Sequence, residues 1–362
     1  MQSQRQQAVF GVFKGMGDLL WASPVVRNEL ERGVEVHMLV FPNETLTDFC
    51  TLVDFGPQVV HLHIHKVPFG PKSLLSFLSE MRDLLPSYIW ISPHAPIADS
   101  SWRIPFMLWL IKQLFWREAI VVGAASERLS SLFHKRLQLD RTLPLPLREW
   151  AAYRQFRADA HLPVLVPYPR FIAAISDVAY RKPIFDLVIH PGAGAQNRIW
   201  PPEKYGPLLA ALPTHWRVAV VGLPSDLSRI QSALQPPAAG SQIFFSGSLQ
   251  ETLKILAASR MLFVMNSGAM HFAEVLGVPT VALFGQQQPA EVIGEGWITP
   301  VYRQCIPCQP CGRATCRQPE VYCLTTLEPL TAAQMLIRLE STLPLSTAPT
   351  KSALPKIEGV TP

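Results

Sequence analysis

The sequence predicts an α/β protein built from two Rossmann-like halves, each a parallel sheet covered by helices. Three observations carry this. Strand-like and helix-like runs alternate twice along the chain. The strand runs are short, β-branched and apolar on both faces, as in sheets buried between helix layers. At 362 residues the chain exceeds one ordinary core, and a proline-rich stretch divides it near the middle.

In the first half "AVFGVF", "VEVHMLVF", "QVVHLHIH", "YIWIS" and "AIVVGA" read as strands, with a helix over Asp18 to Arg32. In the second half "FDLVIHPG", "WRVAVVG", "QIFFSG", "MLFVMNSG" and "TVALFG" do so. Helices there fall over Pro202–Leu212, Asp226–Leu234, Ser248–Ala258 and Gly268–Leu276. Ser248 with Glu251, and Thr331 with Gln334, have the spacing of capping boxes. The expected domains are 1–165 and 184–343, with a linker over 166–183 and a disordered Pro/Ser/Thr-rich tail over 344–362.

A hydrophobic content of 48% with 16% charge indicates a folded chain. The net charge of +5 is mild and dispersed, which suits an anionic ligand or lipid surface and does not indicate nucleic acid. Neither a secretory signal nor a run of ~18–20 apolar residues is visible, so a cytoplasmic location is expected. In that compartment the five cysteines within Cys305–Cys323 read as thiols or metal ligands.

Ligands of such sheets bind beyond the carboxyl ends of the strands, so residues there are the candidates. The first strand runs into "FKGMGDLLWASP", where Gly15 and Gly17 are expected to turn the chain and present Asp18. An Asp there serves as a helix cap or as a general base. The strand "FDLVIH" runs into "PGAGAQNRIWPPEKY", in which Arg198 and Lys204 are either solvated cations or partners for an anion. "RMLFVM" runs into "NSGAMHFAEV", where Ser267 and Gly268 open a helix whose free N–H groups suit a diphosphate. His271, in its first turn, is open to a structural or a catalytic reading.

Taken in order, these stretches resemble glycosyltransferase family 9, the heptosyltransferases. The matching motifs are Gly17-Asp18 followed by Ser23-Pro24; Pro191-Gly192-Ala193 with Arg198-Ile199-Trp200-Pro201; Asn266 to His271 with Leu276 to Gly285; and Cys308, Cys311, Cys316 and Cys323. The resemblance spans roughly residues 8–345, and its third motif is the most specific. Two positions depart from the family pattern: Asn266 stands where Asp is usual, and Ile199 where Arg or His often stands.

The resemblance implies a GT-B fold, with an acceptor-facing first domain, a second domain holding a nucleotide-diphosphate sugar such as ADP-heptose, and inverting transfer to a lipopolysaccharide core or similar lipid-linked glycan. Asp18 would act as the base, with Lys14, Gly15 and Gly17 on the acceptor side. Arg198 would stabilise the leaving diphosphate. Gly192, Ala193, Lys204, Asp226, Ser248 and Asn266 to His271 (Ser267, Gly268, Ala269, Met270) would contact the donor. No D-x-D carboxylate pair occurs, so no catalytic cofactor is expected. A weakly active or inactive scaffold of the same fold is the alternative, kept open by Asn266.

Three further segments bear on partners. The stretch 101–119, with three tryptophans and Arg103, Lys112 and Arg117, is either a core helix or an interfacial helix on the inner face of the membrane. His61, His63 and His65 share one strand face and read as polar decoration, because no acidic or cysteine partner lies nearby in sequence. Cys308, Cys311, Cys316 and Cys323 offer thiolates for a structural zinc, although the gaps of four and six residues are wide for a compact knuckle. Free thiols are the other reading.

Overall fold

The computed structural model describes residues 6–12, 15–40, 44–64, 71–92, 103–124, 133–158, 161–163, 168–179, 183–234, 242–294, 296–313 and 315–343. The chain divides into two compact units, Met1–Arg170 and Phe171–Pro362. The boundary falls within the stretch read as a linker. The tail over 344–362 lies outside the described residues.

The first unit runs β1 (Gln7–Val12), α1 (Met16–Glu31), β2 (Glu35–Val40), α2 (Glu44–Cys50), β3 (Val60–Ile64), α3 (Pro71–Arg82), β4 (Pro86–Ile91), α4 (Arg103–Leu114), β5 (Ile120–Ala124), β6 (Lys135–Leu137) and α5 (Leu145–Phe156). Its sheet has the order β3-β2-β1-β4-β5-β6, parallel throughout. Val9, Leu39, Phe77, Ile89, Ile111 and Trp116 form one of its buried clusters.

The second unit runs α6 (Ala173–Ala179), β7 (Leu187–His190), α7 (Tyr205–Ala211), β8 (Val218–Val221), α8 (Pro224–Ala233), β9 (Gln242–Phe245), α9 (Leu249–Ala257), β10 (Leu262–Met265), α10 (Gly268–Leu276), β11 (Thr280–Phe284), α11 (Pro289–Val292), β12 (Ile298–Tyr302), α12 (Tyr322–Thr325) and α13 (Pro329–Thr342). Its parallel sheet is ordered β12-β11-β10-β7-β8-β9. Numbered from its own first strand this is again 3-2-1-4-5-6 read from the other edge. Trp200, Tyr205, Leu208, Phe263, Leu283 and Leu336 lie in its core.

Two strands escape the sequence pattern. β6 has three residues, and β12 contains Pro300. β12 lies at the sheet edge, where a missing N–H is tolerated. The expected helix over Pro202–Leu212 is a 3₁₀ turn (Pro202–Lys204) followed by α7. The Ser248–Glu251 capping box is present with both bonds. The Thr331–Gln334 box is not: α13 begins at Pro329 with Glu328 at the cap, because proline at the first helical position starts the helix two residues earlier.

Helix α1 shows why Ser-Pro fits at its position. Pro24 lies inside the helix and has no N–H for the Leu20 carbonyl. The Ser23 hydroxyl donates to that carbonyl at 2.7 Å, with Ser23 fully buried. At the far end of α1, the buried Glu29 carboxylate accepts from Arg157 Nε and Nη2 at 2.7 Å each and from the Tyr153 hydroxyl at 2.5 Å. This fastens α1 to α5. Ser23→Ala is expected to lower unfolding free energy by about 1–3 kcal/mol, the cost of a buried carbonyl left unpaired, while Ser23→Thr keeps most of it. Denaturant unfolding of the three proteins compares them directly.

Candidate active site

In a 3-2-1-4-5-6 sheet the order reverses between the first and fourth strands, and the crevice at their carboxyl ends takes ligands. The reversal lies between β1 and β4 in the first unit, and between β7 and β10 in the second. The candidate residues cluster at these two places.

At the first, Gly15 caps α1 in extended geometry (φ −143°), open to any residue. Gly17 is the second residue of the helix itself. The expected glycine turn is therefore corrected: helix initiation sets the direction of the chain here, not a left-handed glycine. Asp18 sits in the first turn, not at the cap, and is part-exposed, where the helix dipole favours a carboxylate. Lys14 lies outside the described residues.

Sequence reasoning missed Glu149. It stands on α5, fully buried, and accepts from Trp90 Nε1 and Ser92 Oγ, each at 2.7 Å. Both donors come from β4 and the residue after it. Burial raises its pKa to about 7, the Ser92 and Trp90 bonds pull the other way, and the Asp18 carboxylate adds to the rise. A lone Glu in an amphipathic helix gave no signal. Only the fold places it behind Asp18.

At the second crevice, β7 ends in His190-Pro191-Gly192. A Cβ on Gly192 would lie 2.8 Å from Asp226 Oδ2, so a bare backbone is needed beside that carboxylate. Asp226, in the first turn of α8, is paired with Arg229. Burial lowers the pKa of His190, and its Nδ1 has no hydrogen-bond partner among the described residues. Ala193 is half-buried against the core.

Beyond β10, Ser267 caps α10 through its backbone alone, and its buried Oγ has no partner among the described residues. The Met270 N–H is used by the Ser267 carbonyl at 3.1 Å, which removes it from the expected set of free amides. The amides of Gly268 and Ala269 head the helix. His271 Nδ1 lies 3.6 Å from Glu274 Oε2, and Glu274 Oε1 accepts from the Gly294 N–H at 2.7 Å. Asn266 Nδ2 donates to Gln287 Oε1 at 3.1 Å.

Arg198 follows β7 in a short 3₁₀ turn. With the Gln286 amide oxygen turned toward the guanidinium, it accepts from Arg198 Nε and from Nη2 at 2.6 Å. Since β10 lies between β7 and β11, this bond carries Arg198 across the carboxyl end of β10. Lys204 does not join it. Its ammonium donates to the Leu327 carbonyl at 2.9 Å and pairs with Glu328 at 3.8 Å, which secures the start of α13. The hydroxyl, N–H and carboxylate of Ser248 and Glu251 are engaged in their own cap.

The cysteine segment supports this site from behind. The Cys311 and Gly312 N–H groups both donate to the Gln286 carbonyl at 3.0 Å, and Gln309 Nε2 bonds the Gly285 carbonyl. A Cβ on Gly285 would meet Cys323 Sγ at 3.0 Å. Burial, then the nearby Cys311, Cys316 and Cys308, push the Cys323 thiol up to about 11. No three of the four sulfurs are gathered within 4.8 Å of one another, so the zinc reading rests on the cysteine spacing alone, beside that of free thiols.

Two Rossmann-like units, each a six-stranded parallel sheet with such a crevice, define the GT-B class of glycosyltransferase fold. The sequence profile of glycosyltransferase family 9 (heptosyltransferase) matches residues 127–321, more than half of the chain, and the protein belongs to that family of glycosyltransferases. The chain is similar in structure to Escherichia coli ADP-heptose lipopolysaccharide heptosyltransferase II, with a TM-score of 0.62 at 16% identity over 93% of this chain and 98% of that one. It is similar also to E. coli heptosyltransferase WaaC with ADP, with a TM-score of 0.63 at 15% identity over 92% and 100%. A third likeness is to the iron-containing dodecameric heptosyltransferase TibC of E. coli, with a TM-score of 0.54 at 13% identity over 93% and 76%. No curated protein matches by sequence. The profile covers the second and third motifs and most of the cysteine segment; Asp18 lies outside it.

The Glu149 environment gives a pH signature. Between its ordinary value of 4.5 and about 7, the folded chain holds a proton that the unfolded chain has released. Stability contributed by Glu149 is therefore complete below 4.5, falls as pH rises to about 7, and is level above. Glu149→Gln is expected to flatten that slope, which urea unfolding at a series of pH values measures.

Proposed function

We propose that the protein transfers a heptose or related sugar from a nucleotide-diphosphate donor, ADP-heptose foremost, to a hydroxyl of a lipopolysaccharide-core or similar lipid-linked glycan. The observation that carries the donor half is the head of α10. There the buried Ser267 hydroxyl, without a partner among the described residues, and the Gly268 and Ala269 amides head the helix, and Gln286, at the end of the neighbouring strand, holds Arg198. That is a positive, hydrogen-bond-donating pocket for a diphosphate.

In this reading the Asp18 carboxylate takes the proton of the acceptor hydroxyl as its oxygen attacks the anomeric carbon. The bond to the nucleotide diphosphate breaks on the opposite face, inverting the centre. Charge growing on the departing oxygen is met by Arg198 and the Gly268 and Ala269 amides, together with the Ser267 hydroxyl. With that charge met by fixed protein groups, no metal is required for catalysis. Glu149, with its pKa raised to about 7, carries only part of a negative charge at neutral pH, so less like charge stands behind Asp18. Gly192, Ala193, Asp226, Asn266 and His271 border the donor. Lys14, Gly15 and Gly17 remain on the acceptor side. Lys204 and Ser248 act through the structure instead.

The segment 101–119 divides between its two expected roles. Ile111 and Trp116 are buried in the core, while Trp109 and Leu114 are exposed. Lys112 and Arg117 bond backbone carbonyls within the segment. The exposed pair supports a peripheral contact with the inner leaflet, where a lipid-linked acceptor resides. No helix among the described residues is long and apolar enough to cross a membrane.

Binding of ADP and ADP-heptose by calorimetry, followed by transfer assays, tests the reading; binding of neither removes it. Asp18→Asn is expected to cut kcat by about 10²–10⁴-fold with donor affinity little changed. Arg198→Gln is expected to lower kcat by about 10²–10³-fold and to weaken ADP binding as well. Activity abolished by EDTA and restored by Mg²⁺ would contradict the metal-free step.

A further inference from the structure

A separate cluster lies at the amino-terminal ends of β2 and β3, away from the carboxyl-end crevice. Glu35 and His37 alternate on β2, and the parallel register sets His37 level with His61 and Leu39 level with His63. Glu35, His37, His61 and His63 therefore share one face. Sequence reading saw the β3 histidines as unpartnered; their acidic partners come from β2 and α3. His65 lies outside the described residues.

Glu35 Oε1 is 3.2 Å from His37 Nε2 and 3.4 Å from His61 Nε2. Two ligands of a tetrahedral zinc ion, each at about 2.0–2.1 Å, stand about 3.3 Å apart. Glu35 Oε2 is occupied, accepting from Gln7 Nε2 at 3.3 Å, which leaves Oε1 turned to the histidines.

The proton accounting points the same way. His63 Nδ1 bonds the Glu80 carboxylate, and His63 Nε2 lies 3.0 Å from His37 Nδ1. With the Nδ1 proton of His63 shared with Glu80 and a lone pair at its Nε2, the facing His37 nitrogen is the donor, which sets the His37 proton on Nδ1. His37 Nε2 is then a bare lone pair facing a carboxylate. It is buried and makes no hydrogen bond among the described residues. The Glu35 carboxylate oxygen and the two Nε2 atoms lie within 4.8 Å of one another, and with the ring protons on Nδ1 they are the donor set of a cation.

We propose that Glu35, His37 and His61 form a binding site for one divalent transition-metal ion of the zinc class. Glu35 Oε1 and the two Nε2 atoms are its ligands, and the fourth position is open to water. His63 and Glu80 are the outer partners that fix the His37 tautomer. The His37 and His61 rings are stacked, 17° from parallel, so binding requires His61 to turn inward to complete the set. At 46% side-chain exposure it is free to do so and gives the ion its entry. The bound ion joins the edge strand β3 to β2, so its role is to secure the first sheet, apart from sugar transfer.

Cobalt(II) titration of the full chain tests this, because thiolate ligation in the cysteine segment would add an intense near-ultraviolet charge-transfer band that His/carboxylate ligation lacks. One equivalent should bind with weak visible bands alone. Affinity should fall at least about tenfold in His61→Gln and in Glu35→Gln, and about 10–100-fold in His63→Gln. The exposed His61 makes its variant safe for folding. Absence of binding at millimolar Co²⁺ and Zn²⁺ would overturn the proposal. So would a thiolate-type spectrum unchanged by His61→Gln and Glu35→Gln.

Discussion

The constraint on which the structure depends is the reversal of strand order in a parallel sheet. Both units must cover two apolar sheet faces with helices, and each right-handed crossover returns the chain to the same end of the sheet. Where the order turns, at β1/β4 and β7/β10, neighbouring connections leave in opposite directions and open a crevice. Asp18 and Ser92 follow the strands of the first reversal, and Gly192 and Ser267 those of the second. The candidate residues are concentrated there because backbone groups at these strand ends face the crevice.

Around each crevice, residues set back from the strand ends hold the candidate residues in place. In the first unit, Glu29 ties α1 to α5, and one helix then carries Asp18 while the other carries Glu149. In the second, the cysteine segment holds the Gln286 backbone while the Gln286 side chain holds Arg198. The segment thus contributes through its amides. The Cys323 sulfur packs the end of β11, filling the space that Gly285 leaves.

Much of this was legible in the chain. Ten of its strands were visible as apolar β-branched runs, and α10 was read with both ends as found, since Gly277 stops it in a left-handed conformation that glycine adopts readily. Legibility failed where a long-range contact decided the outcome. Lys204 looked like an anion ligand by its place after the Pro-Gly motif, yet the Leu327 carbonyl, over a hundred residues later, claims its ammonium. Glu149 was invisible because its burial depends on Trp90 and Ser92, from another strand. The histidines of β3 looked unpartnered because Glu35 and Glu80 reach them only across the sheet and from a helix.

By itself the sequence determined the α/β class, the division into two units, the family motifs and the residues at the strand ends. Each of these is written in local spacing: period, caps, glycines and prolines. The tertiary structure alone decided which charged groups are free to act and which are already engaged. Ion pairs and hydrogen bonds between residues far apart in the chain set protonation, orientation and availability, and sequence spacing carries no record of them.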